Sequence, residues 1–197
     1  MMGGGGNDRE ESMSTTVRIT IEQFDEMIQR GDFDANARRI ELIDGEIREM
    51  PVPNPPHEDK LRLMTEWSYD NIPRREVQIR GQSSIGLPAL DSVPVPDLTW
   101  IRQADYSARR PLLQEVLLVV EVSDSTLSYD RNPKARLYAA AGIADYWIAN
   151  IPGRGFEVRR DPEGSTYRSV QTYRPGQDVR PLTFPDLALP VSLIFPD

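Results

Sequence analysis

The sequence predicts an α/β domain in which a mixed β-sheet is flanked by α-helices. Three observations carry this expectation. The run "EVLLVVEVS" is nearly continuous in β-branched and aliphatic residues, as in a strand covered on both faces. A helical pattern, "YDRNPKARLYAAAG", and a further apolar strand, "ADYWIAN", follow it and complete a strand–helix–strand unit. Well before them, "RRIELIDGEIREM" sets two alternating runs around Asp44-Gly45, a pair suited to a two-residue type I′ hairpin turn.

Taken in order, residues 1–16 are glycine-rich and then charged, which predicts a disordered tail ahead of one domain over 17–197. In "TIEQFDEMIQRG", Thr20 and Gln23 fit a capping box, Ile21, Phe24, Met27 and Ile28 share a face, and Gly31 stops the helix. After the hairpin and a proline-rich loop, a helix is expected from about His57, with Leu61, Met64 and Ser68 on one stripe and Leu63 and Trp67 beside it. "REVQI" reads as a short strand. "VPVPDLTWI" reads as a strand entered through prolines, which lack the donor a central strand needs. In the helix after the apolar strand, Asp130 is placed to cap, Pro133 sits in the first turn and Gly142 ends it. "GFEVRR" and "TYRSVQTY" are strands joined near Glu163-Gly164, and the apolar "LTFPDLALPVSLIF" is expected to pack on the body.

Composition narrows the chemistry. The chain has no cysteine and one histidine, His57, so thiolate sites and multi-histidine zinc sites are excluded. A metal here must be held mainly by oxygen, which favours Mg²⁺, Mn²⁺ or Ca²⁺. The formal net charge of −8 means that any nucleic-acid contact needs a local basic patch against an acidic background. No apolar stretch approaches the ~20 residues of a membrane span, and no secretory pattern opens the chain, so a cytoplasmic protein is expected.

Within this frame the carboxylates are the informative residues. Strand alternation puts Leu118, Val120 and Val122 on one face and Val119, Glu121 and Ser123 on the other. A buried ionised glutamate is costly unless it is paired or binds a metal. By the same alternation Asp97 shares a face with Val95 and Thr99, and Glu41 stands opposite Ile40 and Leu42. Three carboxylates on three strands, each against an apolar pattern, can converge on an octahedral Mg²⁺ completed by water and phosphate oxygens. Such a site suits phosphodiester hydrolysis. Lys134, thirteen positions beyond Glu121 on the next helix, can reach back to orient a water or stabilise developing negative charge.

The blocks "ELIDGEIREMPVPNPPHEDKL", "PVPDLTW", "LLVVEVSDST", "DRNPKARLYAAAGIADYWIAN" and "TFPDLALPVSLIF" resemble, in order, those of the Uma-two family. These are bacterial restriction-endonuclease-like proteins of the PD-(D/E)XK superfamily, and the resemblance runs from about Val17 to Phe195. It implies a restriction-endonuclease-like core and a metal-dependent nuclease site. Asp97 matches the aspartate of the "PD" block, Glu121 the glutamate of "EV", Glu41 the acidic residue of "ELIDGE", and Lys134 the lysine on the helix before "YAxAG". The superfamily's usual lysine sits two residues after the glutamate, where this chain has Ser123. The resemblance implies that Lys134 takes that place.

Other residues have plainer readings. Glu46 and His57 read most plainly as a solvated hairpin charge and a helix-start residue, with a substrate-side role as the alternative. Ser123, Ser125 and Thr126 are expected to satisfy backbone groups, and Tyr146 and Trp147 to be core aromatics. Arg74-Arg75, Arg109-Arg110 and Arg159-Arg160 are expected to be solvated and are the sequence's candidates for phosphate contacts. The sequence thus predicts a Mg²⁺- or Mn²⁺-dependent endonuclease acting on DNA. A homodimer is expected by analogy with enzymes that cut two strands with two sites. The alternatives are an interaction or scaffold protein that keeps the fold with a silent site, and a hydrolase of another phosphodiester.

Overall fold

A computed structural model describes residues 17–33 and 39–196, so the expected disordered tail at 1–16 lies outside the described residues. The chain runs α1 (Ile21–Arg30), β1 (Ile40–Ile43), β2 (Glu46–Glu49), α2 (Pro55–Asn71), β3 (Val77–Gly81), β4 (Leu98–Arg102) and β5 (Val116–Ser123). It continues through α3 (Leu127–Tyr129), a π-type turn at Asp130–Lys134, α4 (Ala135–Ala141), β6 (Asp145–Asn150), β7 (Gly155–Glu163) and β8 (Thr166–Tyr173). It closes with β9 (Asp178–Val179), β10 (Leu189–Pro190) and α5 (Val191–Ile194).

The predicted mixed sheet is present. Six strands lie in the order β3-β4-β5-β6-β7-β8. Every neighbouring pair is antiparallel except β5 and β6, which run parallel because the α3–α4 segment carries the chain back across the sheet. The alternation along β5 sorts the two faces as the sequence predicts. Leu118, Val120 and Val122 join Trp100, Trp147 and Phe156 against Met64 and Trp67 of α2 and the C-terminal segment. Val119 packs with Ala135, Leu137 and Tyr138 of the other helical layer. The tail docks as expected, with Val191, Ile194 and Phe195 buried in the first cluster. Among the described residues no helix is long and apolar enough to cross a membrane.

Local signals fix several boundaries. The α1 capping box forms in both directions, and Gly31 ends the helix in the left-handed region at φ 74°. Asp44 and Gly45 both adopt positive φ, 51° and 73°, as a type I′ turn demands. Two expectations are corrected. Helix α2 starts at Pro55 rather than near His57, because Asn54 caps it and prolines are tolerated at positions whose N–H groups have no helical partner. The helix after β5 starts at Leu127, and Asp130 does not cap it. Pro133 therefore lies inside the helical run, where it offers no N–H and its ring crowds the preceding turn. The turn at Asp130–Lys134 widens to π geometry around it.

Candidate active site

Three segments bring Asp97, Glu121 and Glu41 to one end of the sheet. Asp97 immediately precedes β4, and Glu121 lies near the end of the paired strand β5. Their loops interlock: the Val122 N–H donates to Asp97 Oδ2 at 2.9 Å, and the Asp97 N–H approaches Glu121 Oε2 at 3.4 Å. Glu41 arrives from the β1–β2 hairpin, which is fastened to the body by paired hydrogen bonds between Leu42 and Val93. Leu42 faces the α1 layer, so alternation turns Glu41 inward, where its Oε2 accepts the Val95 N–H at 3.2 Å.

Lys134 enters from the wide turn. Its Nζ lies 2.9 Å from Glu121 Oε1 and 3.4 Å from Glu41 Oε2, and the lysine is only 3% exposed. Two tyrosines unassigned by the sequence reading complete this layer. Tyr138 Oη donates to Glu121 Oε1 at 2.7 Å, and Tyr129 Oη to Glu41 Oε1 at 3.2 Å. Tyr138 is four residues beyond Lys134, a spacing that shares a helix face and is readable from sequence. Tyr129 is five residues before it. That spacing shares a face only because the intervening turn is π-type, and the Lys134 Nζ sits 5.9 Å from the Tyr129 ring centroid.

Of the remaining sequence candidates, His57 stands in the first turn of α2, with Nε2 3.0 Å from Asp97 Oδ2. Glu46 sits at the hairpin tip, exposed and paired with Arg48 at 2.9 Å, and is not among the residues lining the cleft. Ser123 and Thr126 do not serve backbone groups as expected. Both hydroxyls donate at 2.7 Å to Oδ2 of Asp130, a buried carboxylate behind Lys134. The expected solvated arginines are mostly committed to structural ion pairs: Arg109 to Glu115, Arg110 to Asp25, Arg159 to Glu157 and Arg160 to Asp145. Tyr146 and Trp147 are core aromatics, as expected.

Electrostatics divides the carboxylates. Burial pushes Asp97 up, but the His57 hydrogen bond and charge, the Val122 N–H and the Lys134 charge outweigh it and leave Asp97 below its ordinary value. Burial drives Glu121 well above its ordinary value; Lys134 opposes this and the Asp97 charge adds to it. Burial also works against the charge on Lys134, yet Glu121, Glu41 and Asp130 together hold it protonated. Burial and the Glu121 charge keep Tyr138 in its neutral, donating form.

Asp97, Glu121, Glu41, Lys134 and His57 line a cleft of about 640 Å³ that also meets β2 and the loop after β5. A hard divalent cation is compatible with this donor set. Mg²⁺ is commonly held by one or two carboxylates and completed by water and phosphate oxygens, and Asp97 and Glu121 supply two facing the same cleft. Among the described residues no three acidic or histidine side chains form a ready-made metal cage. The burial-driven rise of Glu121 is relieved by an additional positive charge, and His57 Nδ1 is a buried ring nitrogen with no protein partner.

The comparison with family models turns this geometry into a family assignment. The model described as "Uma2: Putative restriction endonuclease" matches residues 21–192. The chain belongs to the Uma2 family. A solved structure of similar fold is described as "Crystal structure of a putative nuclease belonging to DUF820 from Anabaena variabilis ATCC 29413", with a TM-score of 0.68 at 17% identity, covering 90% of this chain and 97% of that one. The restriction-endonuclease-like fold expected from the sequence is thereby shown. No curated protein matches the chain. Within this Uma2 protein, Asp97, Glu121, Glu41 and Lys134 occupy one cleft although they come from separate segments of the chain.

Proposed function

We propose that this Uma2 protein is a Mg²⁺- or Mn²⁺-dependent endonuclease that hydrolyses phosphodiester bonds in DNA. The observation that carries the reading is Lys134: a buried ammonium 2.9 Å from Glu121 and 3.4 Å from Glu41, on a different element from the one where the superfamily's usual lysine would lie. A buried lysine among carboxylates at a cleft wall supplies fixed positive charge where negative charge develops on a phosphate under attack.

In this reading Asp97 and Glu121 hold the divalent ion, with Glu41 as the third acidic member. When bound, the ion supplies an acidified water and neutralises charge on the scissile phosphate. The chain's own groups do the rest. Lys134 stabilises charge on the non-bridging phosphate oxygens. Tyr138 fixes the orientation of the Glu121 carboxylate through its hydroxyl. His57 fixes that of Asp97 and stands close enough to the cleft to act on the substrate side. Two such sites in a homodimer would address the two strands of a duplex, and the reading places the protein in the cytoplasm with its DNA.

The test is nicking of supercoiled and single-stranded DNA by purified wild type and Asp97→Ala in Mg²⁺, Mn²⁺ or EDTA. Metal-dependent nicking by the wild type alone supports the reading. Equal activity in both proteins, or none in either, contradicts it.

A further inference from the structure

The site as described uses one lysine and leaves two arginines of the same cleft without a task. Arg48 stands directly across from Glu41 in the β1–β2 hairpin. Arg39 lies two residues before Glu41, and its carbonyl accepts the Met50 N–H at 2.7 Å, which extends the hairpin pairing. Strand alternation therefore puts Arg39, Glu41 and Arg48 on one face, and all three line the cleft.

Neither guanidinium is saturated. Arg39 Nη2 and Arg48 Nε are both shielded from solvent and have no hydrogen-bond partner. A donor left without a partner is unfavourable, the more so when charged, so two on one wall point to an acceptor that arrives from outside. Arg48 is already held in place: Nη2 bonds Glu46 at 2.9 Å, and the guanidinium lies over the Tyr129 ring at 5.5 Å. A stacked guanidinium with an unpartnered Nε–H is suited to a phosphate oxygen.

The surroundings agree. The chain carries a net charge of −8, and Arg109, Arg110, Arg159 and Arg160 are paired with acidic side chains of the body. Arg39 and Arg48 bring guanidinium charge to this cleft wall, and an acidic protein needs such local positive charge to hold a polyanion. Arg39 is about 7 Å along the strand from Glu41, at ~3.4 Å per residue. A phosphate held there is a neighbour of one facing Glu41 and Lys134.

We infer that Arg39 and Arg48 form a phosphate clamp that grips the backbone of a nucleic-acid strand beside the bond to be cut. This rests on the nuclease reading and adds the side of the cleft from which the strand is held. The test is fluorescence anisotropy of a fluorescein-labelled DNA duplex in EDTA, where metal-dependent cutting is off, across a series of salt concentrations. Plasmid nicking in Mn²⁺ is read in parallel. Each phosphate contact contributes about 0.9 to the slope of log affinity against log salt. Arg39→Gln is expected to make the slope shallower by about 0.9, and the Arg39→Gln/Arg48→Gln pair by about 1.8. Arg39→Gln alone removes no hydrogen bond made by Nη2, which has no protein partner. A wild type that binds and nicks, with both variants keeping its slope, overturns the clamp and leaves the nuclease reading standing. A wild type that neither binds nor nicks overturns the nuclease reading and the clamp with it.

Discussion

Lys134 is the residue on which the site balances. It is an ammonium 3% exposed, and it faces Glu121 and Glu41 directly. Removing one partner of a buried ionic set leaves the others uncompensated, at about 3–5 kcal/mol. Lys134→Met should therefore lose about that much stability in EDTA at pH 8, measured by urea denaturation. The sign of its pH dependence follows from Glu121, which burial already holds above its ordinary value. A carboxyl with a raised folded pKa contributes a penalty that is absent below the unfolded value of 4.5 and grows as pH rises toward the folded one. The defect should shrink at pH 5, and Mn²⁺ should restore part of the stability at pH 8. A defect that is flat across pH and indifferent to Mn²⁺ would contradict the placement of Lys134 against the buried Glu121 carboxyl.

The element that delivers Lys134 is the widened turn after β5. Two hydroxyls, from Ser123 and Thr126, anchor to the Asp130 carboxylate, and the Asp130 carbonyl accepts the Tyr146 hydroxyl at 2.9 Å. Asp130→Ala strands the buried Ser123 donor, at about 1–3 kcal/mol, and frees the part-buried Thr126 hydroxyl. It is expected to cost about 2–4 kcal/mol in urea denaturation and to lower nicking further through a displaced Lys134. Unchanged stability would mean that the turn is held by Pro133 and packing alone. This turn also marks how far the sequence can be read. Strand parity located Glu121 and Glu41, which lie on β5 and β1; Asp97, expected on a strand, stands in the bend just before β4, because Pro94 and Pro96 lack the N–H a paired strand needs. The helix start was misplaced because Pro133 and Asp130 are good first-turn residues; the folded chain instead keeps Pro133 inside the helix and absorbs it by changing the turn. Tyr129 escaped notice for the same reason, since five-residue spacing shares a face only in a π-type turn. Arg74, Arg75 and Arg109 are exposed as expected, whereas the ion pairs of Arg110 with Asp25 and Arg160 with Asp145 were not legible because those acidic partners are distant in sequence.

At the scale of the whole molecule, the site depends on a sheet clamped between two helical layers, one of which is completed by the last residues described. Leu189, Val191, Ile194 and Phe195 are all buried, and the Phe195 ring meets that of Phe156 edge-on at 5.6 Å. Burying such side chains contributes about 1.5–3 kcal/mol each. Four of them together rival the ~5–15 kcal/mol that holds a typical domain folded. A chain ending at Asp186 is expected to lose cooperative thermal unfolding and its near-ultraviolet circular dichroism; a truncated protein that melts as the full chain does would show that the tail is dispensable. The same architecture puts the acidic residues at one end of the sheet, with the hairpin arginines on the adjoining wall.

The central claim is that this cleft cuts DNA with the aid of a divalent ion held by Asp97 and Glu121. The most direct measurement is the rate of supercoiled-plasmid nicking in Mn²⁺ by the wild type and by Glu121→Gln, which keeps the side chain's shape and removes its charge. The account predicts nicking by the wild type that EDTA abolishes, and a loss of at least two orders of magnitude in the variant, on the order of 3 kcal/mol of transition-state stabilisation. Nicking at the same rate by both proteins, or by the wild type in EDTA, would contradict it.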